Sequence, residues 1–153
     1  MPKPFVVLLA EDDDDYVALL KATLVLAAKD ASIPLNFQSV GQGINAIKYL
    51  QGEGNFSDRS VHPFPHLILL DFKMPGMNGL EVLRWLKTHE HCKKIPTIML
   101  TGSAEKRDIE ASYLLGINSY FTKPDDLDQL RRLAQTLLVY WYMTQRPTID
   151  SSV

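Results

Sequence analysis

Apolar residues fall into short dense runs separated by longer stretches in which they recur every three or four positions. Phe5 to Ala10 is a continuous apolar run of strand length, and it ends in five consecutive acids, Glu11 to Asp15. A helical pattern begins directly afterwards at Tyr16-Val17-Ala18-Leu19-Leu20. The alternation then repeats. Leu35 to Val40, Leu67 to Leu70, Thr97 to Leu100 and Ser119 to Phe121 read as strands; Ile44 to Leu50, Leu80 to Lys87, Glu105 to Leu115 and Leu127 to about Met143 read as helices. Gly52 to His66 is polar, carries Pro63 and Pro65, and exceeds the usual ~2 to 6-residue connection, so it is expected to be a partner-binding loop or a mobile insertion.

Strands that alternate with helices predict an α/β fold, a doubly wound parallel sheet covered by helices on both faces, because each crossover must return the chain to the same end of the sheet. Strands apolar on both sides, such as Leu67-Ile68-Leu69-Leu70, fit that double burial. In such sheets ligands bind outside the carboxyl ends of the strands, where the strand order reverses. The residues that follow each strand are therefore the candidates for function.

Composition narrows the classes. A chain of 153 residues with 46% hydrophobic content is of single-domain size and rules out fibrous and disordered readings. No apolar run approaches the ~18 residues of a membrane span, and the run after Met1-Pro2-Lys3-Pro4 is too short for a signal-peptide core, so a soluble, cytoplasmic protein without membrane contact is expected. The lone Cys92 forms no internal disulfide. A net charge of −2 argues against direct DNA binding, which relies on clustered Lys and Arg.

The strand ends carry chemistry that makes sense only jointly: Glu11 and Asp12 after the first strand, Asp71 after the third, Thr101 after the fourth, and Lys123, followed by Pro124, after the fifth. Three carboxylates in one crevice repel one another unless a cation compensates them. Oxygen donors in small number, with room for water and a phosphate oxygen, suit Mg²⁺. Lys123 and Thr101 can both contact an oxyanion, and the Asp71 carboxylate can act as a nucleophile toward phosphorus.

Four segments in register resemble the receiver domains of two-component response regulators: Leu8-Leu9-Ala10-Glu11-Asp12, Leu69 to Gly79, Met99-Leu100-Thr101-Gly102-Ser103, and Tyr120-Phe121-Thr122-Lys123-Pro124. Pro75 lies four residues, Gly79 eight, Thr101 thirty and Lys123 fifty-two beyond Asp71, similar to the family's spacing. The resemblance implies a flavodoxin-like (βα)5 sheet with strand order 2-1-3-4-5. It implies Asp71 as the site of phosphorylation by a sensor histidine kinase, and Glu11, Asp12, Asp71 and the Lys73 backbone carbonyl as the Mg²⁺ ligands. Thr101 would be the switch hydroxyl, Lys123 the cation that pairs with the phosphoryl group, and Tyr120 the aromatic switch. It also implies a cis Lys123-Pro124 bond. Gly102 would leave the phosphoryl pocket open, and Ser103 and Lys73 would border it.

The acids Asp14 and Asp15 read as helix N-terminal charges rather than ligands. His89, His91 and Cys92 lie close in sequence but lack a second ligand pair and are not expected to hold zinc. Two enzyme-like alternatives fall away. Phosphatases of the haloacid-dehalogenase type need a second Asp where Lys73 stands, and nucleotide-binding domains need a Gly-rich phosphate loop that the acidic first turn replaces. The domain is expected over residues 1–145, with a frayed tail over 146–153 and no output domain, so signalling would proceed by protein-protein contact. The Gly52 to His66 loop and the aromatic run Val139-Tyr140-Trp141-Tyr142-Met143 resemble single-domain regulators associated with phytochrome-type kinases, with the aromatic run serving core packing or a homodimer. The alternatives are a phosphorelay intermediate and a receiver-like interaction module that works without phosphorylation.

Overall fold

In the computed structural model, residues 3–147 are described. Their elements are β1 (Phe5–Ala10), α1 (Asp14–Asp30), β2 (Leu35–Val40), α2 (Gly43–Gln51), a short 3₁₀ turn (Gly54–Phe56), β3 (Leu67–Leu70), α3 (Gly79–Thr88), β4 (Thr97–Thr101), α4 (Lys106–Leu114), β5 (Ser119–Thr122) and α5 (Leu127–Met143). The five strands form one parallel sheet in the order β2-β1-β3-β4-β5, the expected flavodoxin-like arrangement.

Alternate residues of the central strands enter two separate cores. Phe5, Val7 and Leu9 of β1 join Leu20 and Leu24 of α1 and Leu130, Leu137 and Leu138 of α5 on one face. Leu8 and Ala10 join Tyr49 and Leu50 of α2 and Val82, Leu83 and Leu86 of α3 on the other. Burial on both faces explains why β1 and β3 are apolar at every position. The edge strand β2 is only half-buried over most of its length and is correspondingly mixed in sequence. Helix α4 buries only Ser112 and is the least embedded of the five. None of the helices among the described residues is long and apolar enough to cross a membrane.

Helix α1 starts two residues earlier than the hydrophobic pattern indicates. Asp13 caps it, its carboxylate accepting from the amides of Asp15 and Tyr16, so Asp14 and Asp15 occupy the first turn where the helix dipole favours negative charge. Asn78 caps α3 through a reciprocal capping box with Glu81.

The Gly52 to His66 segment is fastened to the domain by Arg59. Its guanidinium donates to the carbonyls of Tyr49 (2.7 Å), Leu50 (2.8 Å) and His62 (3.2 Å), so it satisfies the exposed C-terminal end of α2. The same guanidinium lies over the rings of Tyr49 and Phe64. The buried Tyr49 hydroxyl donates to the Pro63 carbonyl at 2.7 Å, and Gln38 of the edge strand donates to the Val61 carbonyl at 3.1 Å.

The C-terminal aromatic run is partly packed and partly exposed. Trp141 and Tyr142 pack on the α1/α5 core, Tyr142 edge-on to Phe5 at 5.7 Å, whereas Tyr140 and Met143 are exposed. Arg146 donates to the carbonyls of Trp141 and Tyr142, each at 2.9 Å, and stands over the Phe5 ring. Residues 148–153 of the expected tail lie outside the described residues.

Candidate functional site

The site is assembled by extending the sheet ladder one residue past its strands. The Glu11 amide donates to Val40 and the Asp71 amide to Ala10, each at 3.0 Å, which sets Glu11 and Asp71 side by side where β1 and β3 end. Both carboxylates are buried, and Asp12 beside them is exposed. Oxygen atoms of Glu11, Asp12 and Asp71 lie within 4.8 Å of one another. Gly79 makes the crowding possible: its amide donates to the Phe72 carbonyl at 2.8 Å, drawing the start of α3 against the end of β3.

Lys123 enters from the far side of the sheet. Its amide donates to the Thr101 carbonyl at 2.7 Å, fixing the backbone after β5 to the end of β4. The ammonium forms an ion pair with Glu11 Oε1 and stands 3.8 Å from Asp71 Oδ2. It also sits over the face of the Tyr16 ring, 4.2 Å from the centroid. The Lys123-Pro124 bond is trans, as are all peptide bonds among the described residues, which corrects the cis geometry expected from the family resemblance. Trans is the lower-energy isomer even before proline.

One ammonium does not neutralise this many acids. Burial, together with the Asp71 carboxylate, outweighs the Lys123 and Asp13 contacts and pushes the Glu11 carboxyl up to about 7. Burial and the charges of Glu11 and Asp71 likewise push the Tyr16 phenol up to about 12. A site of oxygen donors that holds a carboxyl against ionisation is one that a hard divalent cation would relieve. The residues fit such an ion.

Thr101 is buried at the end of β4, and among the described residues its hydroxyl has only a long 3.4 Å contact from the Ser103 amide. The Ser103 hydroxyl donates to Asp108 Oδ2 at 2.6 Å and accepts from the Glu105 amide. The Tyr120 hydroxyl donates to the Ser103 carbonyl at 2.8 Å, so the ring is tied to the loop that follows Thr101. Gly102 leaves open space where a Cβ would stand, and Lys73 is exposed two residues past Asp71.

Residues 7–135 match the response regulator receiver domain family. The chain belongs to that family. This receiver is 34% identical to Response regulator Rcp1 of Synechocystis sp. over 141 residues, covering 92% of the chain and 91% of that protein. Among solved structures it is similar to the phosphorylated cyanobacterial phytochrome response regulator RcpA, with a TM-score of 0.86, 30% identity, and coverage of 95% of this chain and 100% of that one. It is likewise similar to the Mn²⁺-bound form of Rcp1, with a TM-score of 0.82, 33% identity, and coverage of 95% and 100%.

The receiver fold thus brings together Glu11, Asp12, Asp71 and Lys123, with Thr101 on the neighbouring strand end and Tyr120 one step further out. Two participants were not evident from sequence. Tyr16 read only as the start of a helix, although an aromatic one turn past the acidic pair is a recognisable signal. Asp108 read only as part of α4, although its spacing from Ser103 suits a side-chain contact across a helix N-terminus. His89 stacks on Trp85 with centroids 3.9 Å apart, and Cys92 is buried in the α2/α3 core, which gives both a packing role.

Proposed function

We propose that Asp71 is the phosphoryl acceptor of this receiver and that Glu11, Asp12 and Asp71, with the Lys73 carbonyl, hold Mg²⁺. The observation that carries the reading is the buried Asp71 carboxylate flanked by two further acids and by the Lys123 ammonium. An Asp71 carboxylate oxygen attacks the phosphorus of a phosphohistidine on the sensor kinase. The new O–P bond forms as the N–P bond breaks, and its electron pair returns to the imidazole, which takes up a proton. When bound, the Mg²⁺ ion neutralises charge on the carboxylates and on the transferring group. Lys123 passes from Glu11 to a phosphoryl oxygen.

The Thr101 hydroxyl, held only by its long contact, turns to the phosphoryl group. Because Tyr120 is bonded to the carbonyl two residues after Thr101, that movement is transmitted to the outer face of α4 and β5. The likeness to Rcp1 along 91% of that regulator's length supports output by contacts of the receiver itself, and the phytochrome regulators among its relatives support a phytochrome-type histidine kinase as donor. A homodimer would use the exposed Tyr140 and Met143 rather than Trp141 and Tyr142, whose rings belong to the core.

Borohydride reduction of the phosphorylated protein tests the acceptor. Conversion of residue 71 to homoserine, read in the peptide mass spectrum, is the expected result; conversion at another acid would overturn it.

A further inference from the structure

Among the described residues the Lys123 ammonium meets three charged or aromatic groups: the Glu11 and Asp71 carboxylates and the face of the Tyr16 ring at 4.2 Å. Two of the three are acids that the proposed function assigns to a cation and to a phosphoryl group. The ring alone keeps its character throughout. It is uncharged, so it does not repel an arriving phosphoryl group as a carboxylate in its place would. The Tyr16 backbone is held in the first turn of α1 by the bond from its amide to the capping Asp13 carboxylate at 3.2 Å, and the ring packs on the α1/α5 core.

The Tyr16 hydroxyl is buried and makes no hydrogen bond. Such a group is held against its own desolvation cost, so the residue's place is secured by the ring and not by its polar end. The aromatic face is the part of Tyr16 that meets a functional partner.

We propose that Tyr16 is a positioning residue for Lys123: its ring face keeps the ammonium in the pocket while the ammonium's partner changes from Glu11 to an oxygen of the phosphoryl group. This rests on the phosphoryl-acceptor reading above. A lysine stem is flexible, and without the ring the ammonium would be free to leave for solvent when Glu11 is engaged elsewhere.

The test is beryllofluoride binding in the presence of Mg²⁺, measured by calorimetry, for wild type, Tyr16→Phe and Tyr16→Leu, each also in a Lys123→Met background. A cation–π contact of ordinary strength makes Tyr16→Leu weaker than wild type by roughly three- to thirtyfold, with Tyr16→Phe within about twofold. In the Lys123→Met background the Leu and Tyr forms should bind alike, because a residue that acts through Lys123 has nothing left to position. Equal affinity of Tyr16→Leu and wild type, an equal loss in both backgrounds, or a Phe variant as weak as the Leu variant would each overturn the proposal. If wild type itself binds no beryllofluoride, the acceptor reading fails, and the ring contact is decided separately by NMR. An upfield-shifted Lys123 ε-methylene in the Tyr and Phe proteins, absent in the Leu protein, supports it; an unshifted resonance in wild type refutes it.

Discussion

Gly79→Ala isolates the contact that packs α3 against the end of β3. A Cβ at Gly79 would press on the Asp71 carbonyl oxygen while standing 2.9 Å from Phe72 Cα and 3.0 Å from Asp71 C. Ordinary carbon contacts begin near ~3.5 Å, and these neighbours are backbone, so no side-chain rotation relieves the overlap. The start of α3 must move by roughly half an ångström or more, loosening the 2.8 Å bond from Gly79 to Phe72 and the Asn78 capping box. Overpacking costs about 1–3 kcal/mol and a weakened hydrogen bond up to about 1, offset by roughly 0.5–1 from alanine's better helix propensity and lower unfolded-state entropy. The net loss of roughly 1–3 kcal/mol corresponds to a fall in Tm of about 3–10 °C in a domain of this size. The same shift displaces Asp71, so phosphorylation from acetyl phosphate should slow by an order of magnitude or more. Gly41→Ala is the control, since a Cβ there meets only the Glu11 carbonyl oxygen at 4.0 Å. Calorimetry and phosphorylation kinetics on both variants decide the matter. A Gly79→Ala protein as stable and as fast as wild type would refute the reasoning.

Other expectations concern charge and the long loop. Without magnesium, folded Glu11 holds its proton to about 7 while the unfolded chain releases it near 4.5, so its contribution to stability is present in full below 4.5 and lost as pH rises through 7. Saturating Mg²⁺ should remove that decline in Tm between pH 5.5 and 7.5; an equal decline with and without the ion would contradict the site. Asp71→Asn relieves the repulsion on Glu11 and should raise the magnesium-free Tm at pH 7.5 while shrinking the Tm gain from Mg²⁺, both readable in one thermal series. Arg59→Ala strips the capped end of α2 and should lower stability by about 2–3 kcal/mol in urea titrations and expose the 52–66 segment to protease. Because that segment joins the opposite end of the sheet, its phosphorylation rate should stay within about twofold of wild type.

How much could be read from the sequence depended on how local the governing interactions are. The central strands were legible because double burial demands unbroken apolar runs at Phe5–Ala10 and Leu67–Leu70. The acidic residues at the strand ends were legible for the same reason: each is adjacent in sequence to such a run. The start of α1 was misplaced because any of several consecutive acids can cap a helix, and only the backbone turn at Asp13 selects one. The role of Arg59, within a stretch that read only as a long polar loop, was not legible, since its three carbonyl acceptors converge only when α2 and the loop fold back together. Tyr16 was missed on similar grounds, as its partner Lys123 arrives from the far end of the chain. The contacts of Arg146 with the last carbonyls of α5 and with Phe5 were not legible either, because Phe5 lies at the other end of the chain.

On the proposed function, Asp71 takes up a phosphoryl group with the help of a divalent ion. Intact-mass spectrometry of wild type and Asp71→Asn after incubation with acetyl phosphate, with and without Mg²⁺, tests it most directly. The expected result is a single phosphoryl adduct that requires Mg²⁺, is removed by hydroxylamine, and is missing from Asp71→Asn. An adduct of the same mass on Asp71→Asn, or one formed equally well without the ion, would contradict it.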